Sequence, residues 1–551
     1  MQNFRSGRRT LACGALFMAA VAARAEEAPR ELAPVQVSGE AAGSDLTDLA
    51  EPAAQLQGRE LARDRAMSLG DTVAKLPGAA SSGYGPNAGR PVLRGLDGER
   101  VRILNDGAAS LDASSMSADH AVAIDPLSAA RIELLRGPAA LLYGGSAVGG
   151  IVNVSDGRIP SDAPRSASGR LGLSYGSAAR ETAGSAEVET GNGSWALHAD
   201  AYSRRSEDLD IAGAAVSARL RALAAAGRAS VSAQSLAADG HLPGSAANAE
   251  GAGFGAAYNT GRGYAGFAYS QQDANYGTVA EPGVSIAMRR ERWDLAGEIS
   301  GLAGFVQALR YKFGHTDYQH VELDAGTPAT RFINRGDTGR VEFDHAPLAG
   351  FNGVAGLEFG RSNFSALGEE AFLPRSRSAS YALFVLEQAK WRGATLSFAA
   401  RGESAQLDSA GGGPDDPDAA PGTPRFGAAR RRDFTPASFA AALEFGPAAA
   451  RFGLVLSHNE RAPSYAELYA NGPHAATGTY EVGNPDLPKE RSNALEATLR
   501  LQSGPYGLKL AAWQNRYRNY LGQIPTGVRR DADGRSSRNG PLTDCGDGTS
   551  A

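Results

Sequence analysis

Apolar and polar residues alternate with a period of two over most of the chain from about residue 165 onward. The clearest runs extend from Trp195 to Tyr202, from Trp293 to Ser300 and from Leu495 to Leu501. In each run one face is apolar and the other carries charge, and stretches rich in Gly, Asp and Ser separate the runs. Because side chains alternate sides along an extended chain, this pattern predicts β-strands with one apolar and one polar face.

A soluble β-sandwich and a membrane barrel both produce such alternation, so the period alone does not distinguish them. Two further features favour the barrel: the alternation continues for hundreds of residues, and aromatic residues such as Trp293, Tyr311 and Tyr517 stand at the ends of runs. An export signal, described below, points the same way. We therefore expect an all-β transmembrane barrel with a polar lumen over residues 161–551.

Residues 51–160 combine a helix-like pattern with short strand-like runs, which predicts a compact α+β domain. Leu69, Val73 and Leu76 share one face of a short helix that ends at Pro77-Gly78. Strand-like runs follow, the first two of them linked by the turn signal Asp97-Gly98. These runs are Pro91–Arg94, Val101–Leu104 and Arg131–Arg136.

The first 25 residues have the organisation of a secretory signal peptide. Arg5, Arg8 and Arg9 form a basic start, an apolar run covers Leu11–Ala23, and the A-x-A pattern predicts cleavage after Ala25. Residues 26–50 are small, polar and unpatterned, which predicts a flexible leader. We therefore expect an exported protein.

Composition and charge exclude several classes of protein. Mean hydropathy is −0.28, and after the N-terminus no apolar run approaches the ~20 residues of a membrane-spanning helix. Removing four arginines and no acidic residue with the signal peptide takes the formal net charge from −5 to −9, which disfavours nucleic acid as a partner. Cys545 is then the only cysteine left, so no internal disulfide is expected.

Three segments of residues 51–160 together resemble the plug domain of TonB-dependent receptors. They are Leu93–Leu96 (LRGL), Ile103–Gly107 (ILNDG) and Ile132–Val154 (IELLRGPAALLYGGSAVGGIVNV). The resemblance covers the mature chain up to about Gly527, and it implies an α+β plug inside the lumen of the barrel. The residues that carry the plug motif are Arg94, Gly95, Arg136, Gly137, Pro138, Tyr143, Gly144, Gly149 and Gly150.

A short β-prone segment in the leader then resembles the TonB box of the family. A segment of this kind is suited to adding a strand to the sheet edge of a partner. Its residues are Pro34, Val35, Gln36, Val37 and Ser38.

The resemblance implies a receptor that imports a scarce nutrient, not an enzyme, in the outer membrane of a Gram-negative bacterium. A plugged lumen does not conduct passively, so the implied partners are TonB with its inner-membrane energising complex, together with the barrel assembly machinery and outer-membrane lipid. No prosthetic group is implied. Charged plug residues such as Arg94, Glu133 and Arg136 would be costly in an apolar core. We expect them to find partners on the lumen wall, such as Glu298, Glu358 and Glu496.

Candidate substrate ligands lie side by side in the loop Ser115–Ala121, which contains Asp119 and His120. This loop resembles the zinc-receptor branch of the family, and so do the barrel segments Asp317–Glu322, Phe364–Glu370 and Glu467–His474. In the family fold such loops meet at the external mouth. The resemblance therefore implies a metal site whose ligands, in order of preference, are Asp119, His120, His474, Glu322 and His320.

Imidazole nitrogens and carboxylate oxygens form a plausible four-coordinate set for zinc, which here is cargo and not a cofactor. The same donors accept other divalent metals, so the presence of a metal is better supported than its identity. His241 and His315 are expected to be ordinary loop residues.

A haem or siderophore-iron receptor of the same fold is the main alternative. Two segments, Arg461-Ala462-Pro463 and Asn484–Leu487, flank His474 in an arrangement that resembles haem receptors, where a histidine between two such boxes ligates haem iron. Haem requires axial histidines in an apolar, aromatic slot, and the small polar residues near His120 and His474 in the sequence favour a bare ion. Outside transport, a surface adhesin leaves the plug motif unexplained, and a secreted polysaccharide-degrading enzyme lacks a close carboxylate pair.

The C-terminal part departs from the family pattern. Barrels of this family have about 22 strands, whereas residues 165–551 supply about 15 at ordinary strand and loop lengths. Arg529–Ala551 shows no alternation and does not end on an aromatic strand. An open barrel edge in lipid leaves backbone groups unsatisfied. The sequence therefore predicts an incomplete barrel, from a fragment or from a truncated, non-functional gene product.

Overall fold

The computed structural model describes residues 54–229, 231–368, 371–474, 477, 479–504, 506–530 and 535–537. The expected signal peptide, the segment Pro34–Ser38 and Cys545 lie outside these residues.

Residues 54–155 form a small α+β domain, as predicted, which we call the plug. Its strands are β1 (Ala54–Gln57), β2 (Ala79–Ser81), β3 (Pro91–Leu93), β4 (Val101–Asn105), β5 (Ala108–Ala109), β6 (Arg131–Leu135) and β7 (Gly150–Ser155). Its helices are α1 (Gly58–Asp64), α2 (Leu69–Val73) and α3 (Pro138–Leu141). Five strands form one sheet in the order β1-β6-β7-β4-β5, in which β4 and β7 are parallel.

The core of the plug lies between this sheet and α1 and α2. Leu69 and Val73 are buried in it, and Leu76 packs against it from beyond the end of the helix. The predicted helix is therefore correct in position but shorter than expected. The first two predicted strands do not pair with each other, since β3 pairs with β2 and β4 with β7. Positive φ angles of 55° at Arg94 and 76° at Gly95 turn the chain away directly after β3.

In the part of the chain that the structure describes, sixteen strands form the second, much larger sheet, which is the predicted barrel. They are β8 (Ser168–Gly176), β9 (Glu181–Gly191), β10 (Trp195–Ser206), β13 (Ala247–Thr260), β14 (Gly263–Gly277), β15 (Val284–Ser300), β16 (Val306–Asp324), β17 (Thr327–Leu348), β18 (Phe351–Gly368), β19 (Ser376–Trp391), β20 (Ala394–Ser409), β21 (Arg430–Phe434), β22 (Ala437–Phe445), β23 (Ala450–Arg461), β26 (Glu490–Ser503) and β27 (Tyr506–Asn519). Each strand pairs antiparallel with its neighbour along the chain, and β21 and β22 both pair with β20.

The predicted alternation corresponds to the two faces of this sheet. Trp195 and Leu197 are 52% and 51% exposed on the outer face, whereas Ala196 and His198 between them are buried on the lumen side. Trp293, Leu295 and Leu495 are likewise exposed on the outer face. Among the described residues, no helix is long and apolar enough to cross a membrane.

Aromatic side chains form two rows on the outer face. One row includes Tyr269 and Trp293, whose rings lie 4.5 Å apart, and the other includes Trp195 and Tyr258, 5.0 Å apart. Such rows flank the lipid-facing band of membrane barrels. The prediction that Trp293 and Tyr311 stand at strand ends was wrong, because β15 and β16 continue well beyond the aromatic row.

Turns and loops differ at the two ends of the barrel. Residues 261–262, 349–350 and 392–393 make tight turns at one end, and long loops at the other end include the described residues 207–229, 231–246, 410–429, 462–474 and 479–489. Long loops mark the extracellular end of such barrels. The loops contain β11 (Leu209–Ala214), β12 (Asp239–Leu242), β24 (Asn471–His474), β25 (Thr479–Val482), α4 (Ala218–Ala225), α5 (Ala233–Ala237) and α6 (Tyr465–Tyr469), and the last described residues contain β28 (Arg529–Arg530) and β29 (Ser536–Ser537).

Candidate metal centre

The plug loop between β5 and β6 carries Asp119 and His120, and internal hydrogen bonds hold it in place. Asp112 accepts hydrogen bonds from the backbone N–H groups of Ser114 at 2.9 Å and Ala123 at 3.0 Å, which closes the loop at its base. Buried Arg90 donates to the carbonyl oxygens of Ser114 and Ser117. The conformation of the loop is therefore held by hydrogen bonds of the protein itself.

Three of the five predicted ligands converge where this loop meets β16. The ligand atoms of His120, His320 and Glu322 all lie within 4.8 Å of one another. His120 comes from the plug, and His320 and Glu322 lie on the lumen side of β16 near its extracellular end. His120 and His320 are 1% and 0% exposed. We call these three residues the metal triad.

Hydrogen bonds orient both imidazoles of the metal triad. Nδ1 of His120 lies 3.2 Å from the Ala113 carbonyl oxygen, to which it donates, so Nε2 faces Glu322 Oε1 at 3.2 Å. Nδ1 of His320 lies 2.8 Å from the Tyr318 hydroxyl. Nε2 of His320 is buried and has no hydrogen-bond partner among the described residues. An unpartnered, buried nitrogen beside a second imidazole and a carboxylate is suited to a metal ion.

The other two predicted ligands belong to a neighbouring hydrogen-bonded group. Ser117 Oγ joins them, since it hydrogen-bonds to Asp119 and lies 2.7 Å from Nε2 of His474. Nδ1 of His474 is in turn 2.7 Å from Glu481 Oε1. Asp119 and His120 are adjacent in sequence, so the two groups share one stretch of backbone.

Glu322 and His320, the last of the five predicted ligands in order of preference, are the ones that lie beside His120, whereas Asp119 and His474 do not join the metal triad. Sequence reasoning missed Ser117, Glu481, Tyr318, Asp112 and Arg90, which hold the donors in position. Ser117 stood inside the quoted loop, whereas Glu481 had no motif to mark it. His315 lies on the outer face, 2.8 Å from Asp337, and His241 is exposed in the loop after β10.

Aromatic rings surround both groups, which corrects the expectation of small polar surroundings. His320 stacks on Phe332 at 4.5 Å between centroids, and His474 stacks on Phe372 at 4.7 Å. The polarity of the surroundings therefore does not exclude haem. The rings of His120 and His320, however, are only 4.4 Å apart, which leaves no space for a porphyrin between these two histidines.

The two segments that flank His474 in this chain, and that resemble the boxes of haem receptors, make structural contacts. Arg461 donates to both carboxylate oxygens of Glu467, at 2.8 and 2.9 Å, and also contacts Glu490. The backbone N–H of Asn484 donates to the carbonyl oxygen of Glu467 at 2.9 Å. Both segments thus hydrogen-bond to Glu467 of α6 and position the loop that carries His474.

Electrostatics favours a positive charge at His120. Burial lowers the pKa of His120, but the carboxylates of Asp119 and Glu322 and the contact with the Ala113 carbonyl outweigh it, and the pKa ends above its ordinary value. The two carboxylates thus stabilise positive charge at His120, and a metal ion must compete with a proton for this imidazole.

Ion pairs join the plug to the lumen wall. Arg94 pairs with Glu496, as expected, whereas Glu358 pairs at 2.8 Å with Arg102, a plug residue that was not among those expected to do so. Glu133 was expected to reach the wall, but it pairs within the plug, with Arg131 at 3.2 Å. It does so because its strand, β6, lies inside the plug sheet between β1 and β7.

The glycines of the plug motif allow close approach of neighbouring groups. A Cβ atom on Gly144 would lie 2.6 Å from Arg102, and one on Gly150, where φ is 129°, would lie 2.9 Å from the Leu135 carbonyl oxygen. The motif therefore reflects packing of the plug around α3 and β7.

Two family models match the chain. Residues 144–544 match the model described as TonB dependent receptor-like, beta-barrel, and residues 45–151 match the TonB-dependent Receptor Plug Domain. A hemin receptor of Yersinia pestis is 33% identical over 99 residues, which are 18% of this chain and 14% of that protein. The chain thus aligns with only a small part of that relative.

Solved structures share the fold at low identity. The copper transporter OprC is 17% identical with a TM-score of 0.68, and the alignment covers 86% of this chain and 71% of that one. The Serratia marcescens hemophore receptor HasR, solved with its hemophore HasA and heme, is 17% identical with a TM-score of 0.67, over 85% and 73%. The Pseudomonas aeruginosa siderophore receptor PirA gives 17% and 0.58, over 86% and 77%. Since a barrel model matches most of its length and a plug model most of the rest, this chain belongs to the TonB-dependent receptors, a family of transport receptors in the outer membrane of Gram-negative bacteria.

Proposed function

We propose that this receptor binds and imports a divalent metal ion, and that the ion is zinc. The observation that carries the proposal is the metal triad: two buried imidazoles and a carboxylate with ligand atoms within 4.8 Å of one another. Two imidazoles and one carboxylate are a ligand set found at zinc sites, where a fourth position is left for water or another donor. Asp119, adjacent to His120 in the sequence, is a candidate for that position, and Ser117 connects it to His474.

The division of the metal triad between plug and barrel supplies a route to release. His120 belongs to the plug, whereas His320 and Glu322 belong to the wall. Any displacement of the plug by TonB separates the first donor from the other two, and an ion left with fewer ligands binds weakly. Binding and energy-driven release are thus built into one site.

The proposal is tested by calorimetric titration of the purified full chain with zinc, copper and haem in separate experiments. We expect zinc to bind with one site per chain, and the Asp119→Ala/His120→Ala variant to lose that binding. Tight binding of haem that is lost in His474→Ala would instead assign the receptor to haem. Nitrogen ligands generally bind copper more strongly than zinc. If copper binds more strongly than this general preference predicts, the choice of metal is overturned but the site is not.

Zinc affinity should fall as the pH is lowered. Imidazoles must be neutral to coordinate, so metal and protons compete for His120. Because the carboxylates of Asp119 and Glu322 raise the pKa of His120, the loss should begin above the pH at which an ordinary histidine titrates, about 6.5. Titrations between pH 8 and 5 measure this, and an affinity that stays constant over that range would contradict coordination by histidine.

We also propose that Pro34–Ser38 couples the receptor to TonB by adding a strand to the edge of a TonB sheet. A proline within such a strand removes a backbone donor. Val37→Pro should therefore abolish zinc uptake by cells while leaving zinc binding unchanged, with Ala42→Pro as the control elsewhere in the leader. Uptake that persists in Val37→Pro would remove this segment from the coupling step.

A further inference from the structure

Charged residues occupy the outer face of the barrel directly above the apolar band on β16 to β21. Along β18, Leu357 and Phe359 are followed on the same face by Arg361, which is 71% exposed in its side chain. Along β19, Leu383 and Tyr381 are 64% and 66% exposed, and Arg377 follows on the same face toward the extracellular end. The outer face therefore changes from apolar to basic within one or two alternations of the strand.

Strand pairing brings these charges together. Asp337 lies directly opposite Arg361 between β17 and β18, and Asp408 lies opposite Arg377 between β19 and β20 and opposite Arg431 on β21. A cavity of about 430 Å³ lies among them. Its charged lining consists of Arg335, Arg361, Arg377 and Arg431 with Asp337 and Asp408, so arginines outnumber carboxylates by two. We call this cavity the outer-wall cavity.

The carboxylates orient the guanidinium groups without using all of their donors. Arg361 contacts Asp337 through Nε at 2.7 Å, and Arg431 contacts Asp408 through Nε at 2.8 Å. Arg335 contacts Asp317 through Nε at 2.9 Å. A guanidinium has five N–H donors in a planar fork, so contact through Nε leaves the terminal nitrogens for another acceptor. Arginine forks of this kind match the oxygens of a phosphate group.

We propose that the outer-wall cavity binds the phosphate groups of a phosphorylated outer-leaflet glycolipid of the lipid A type. Its position selects this ligand. The cavity opens on the lipid-facing side, just above the apolar band, which is the depth at which the headgroups of the surrounding leaflet lie. Substrates in the lumen are on the other side of the wall, and a soluble anion would lack the acyl chains that the adjoining apolar surface of Leu357, Phe359 and Tyr381 can contact.

The test is native mass spectrometry of the detergent-solubilised full chain with phosphorylated lipid A and with its dephosphorylated form. The variant is Arg361→Gln/Arg377→Gln/Arg431→Gln. The control is Arg289→Gln, an outer-face arginine on β15 that is half exposed, pairs with Glu291 and lies outside the cavity. Retention of the compact form on unboiled gels confirms that each variant folds, and Arg377→Gln alone serves if the triple variant does not.

We expect phosphorylated lipid A to bind the unmodified chain and Arg289→Gln equally, and the triple variant at least about tenfold more weakly, since each lost charge-assisted hydrogen bond contributes substantially. The single variant should lose less, in the same direction. Equal binding by all chains, or equal binding of the dephosphorylated lipid, would overturn the proposal. Displacement of lipid A by millimolar inorganic phosphate would reassign the cavity to a soluble anion and overturn it as well. Zinc binding should be unaffected in every variant, because the metal triad lies on the lumen side.

Discussion

His320→Ala is expected to lower zinc affinity by about 100-fold or more. The free energy of zinc sites, roughly 10–16 kcal/mol for four ligands, divides into several kcal/mol per ligand, and 1.4 kcal/mol corresponds to tenfold in affinity. His320 Nε2 is buried and has no hydrogen-bond partner among the described residues. Because no such hydrogen bond is broken when a metal binds, the full coordination energy contributes to affinity. Calorimetric titration with zinc measures the loss.

His315→Ala is the matched control for this variant. His315 and His320 lie five residues apart on β16, but His315 is on the outer face, half exposed and paired with Asp337. Removing it deletes an equal number of atoms from the same strand without touching the metal triad. Zinc affinity should therefore stay within about twofold of the unmodified chain, the range of surface substitutions. Similar losses in both variants would mean that the strand had been disturbed and that the metal triad does not hold the ion.

The comparison also separates the two groups of donors. If His474→Ala lowers zinc affinity as much as His320→Ala, the ion lies closer to Ser117 and Asp119 than to Glu322. If only His320→Ala and Glu322→Gln do so, the metal triad holds the ion, and His474 with Glu481 positions the loop through Ser117. Both outcomes keep the ion at the junction of plug and barrel.

The fold was predictable because its signals are periodic or local. Alternation over hundreds of residues predicted the barrel, and the runs IELLRGPAALLYGGSAVGGIVNV and LRGL identified the plug. Details that depend on contacts distant in sequence were not predictable. The pairing of β3 with β2 instead of β4 follows from the turn at Arg94 and Gly95, which no simple pattern marks.

The residues of the candidate site could be named from the sequence, but their arrangement could not, and their role as metal ligands stays a prediction. Asp119 and His120 are adjacent, and the segment from Asp317 to Glu322 places His320 and Glu322 on one face of a strand. Which donors meet depends on how the plug sits in the lumen, and that is fixed by pairs such as Asp112 with Asn334, which are 222 residues apart. The aromatic neighbours Phe332 and Phe372 come from other strands and loops, so the neighbours of His120 and His474 in sequence gave the wrong environment.

Glu490→Ala is expected to lower the free energy of unfolding of the plug by about 3 kcal/mol. Glu490 is 1% exposed and accepts hydrogen bonds from Arg100 of the plug and Arg461 of the wall. Removing one partner of a buried ion pair leaves an uncompensated charge, at a cost of about 3–5 kcal/mol. Arg461 still pairs with Glu467, so the cost falls mainly on Arg100, whose remaining contacts among the described residues are the Leu521 carbonyl oxygen and the Tyr520 ring. The lower end of the range is therefore expected.

Urea titration followed by intrinsic fluorescence measures this change, and Glu291→Ala is the control. Glu291 also pairs with an arginine, Arg289, but both side chains are partly exposed on the outer face, and an exposed pair contributes only about 0–1 kcal/mol. Glu490→Gln should fall between the two, since it keeps the acceptor oxygen for Arg100 while losing the charge. Should Glu490→Ala unfold at the same urea concentration as Glu291→Ala, the ion pair between Arg100 and Glu490 would not hold the plug in the barrel. In that case the ion pairs of Arg94 with Glu496 and of Arg102 with Glu358 would have to hold the plug in the barrel. TonB would then need to break those pairs first.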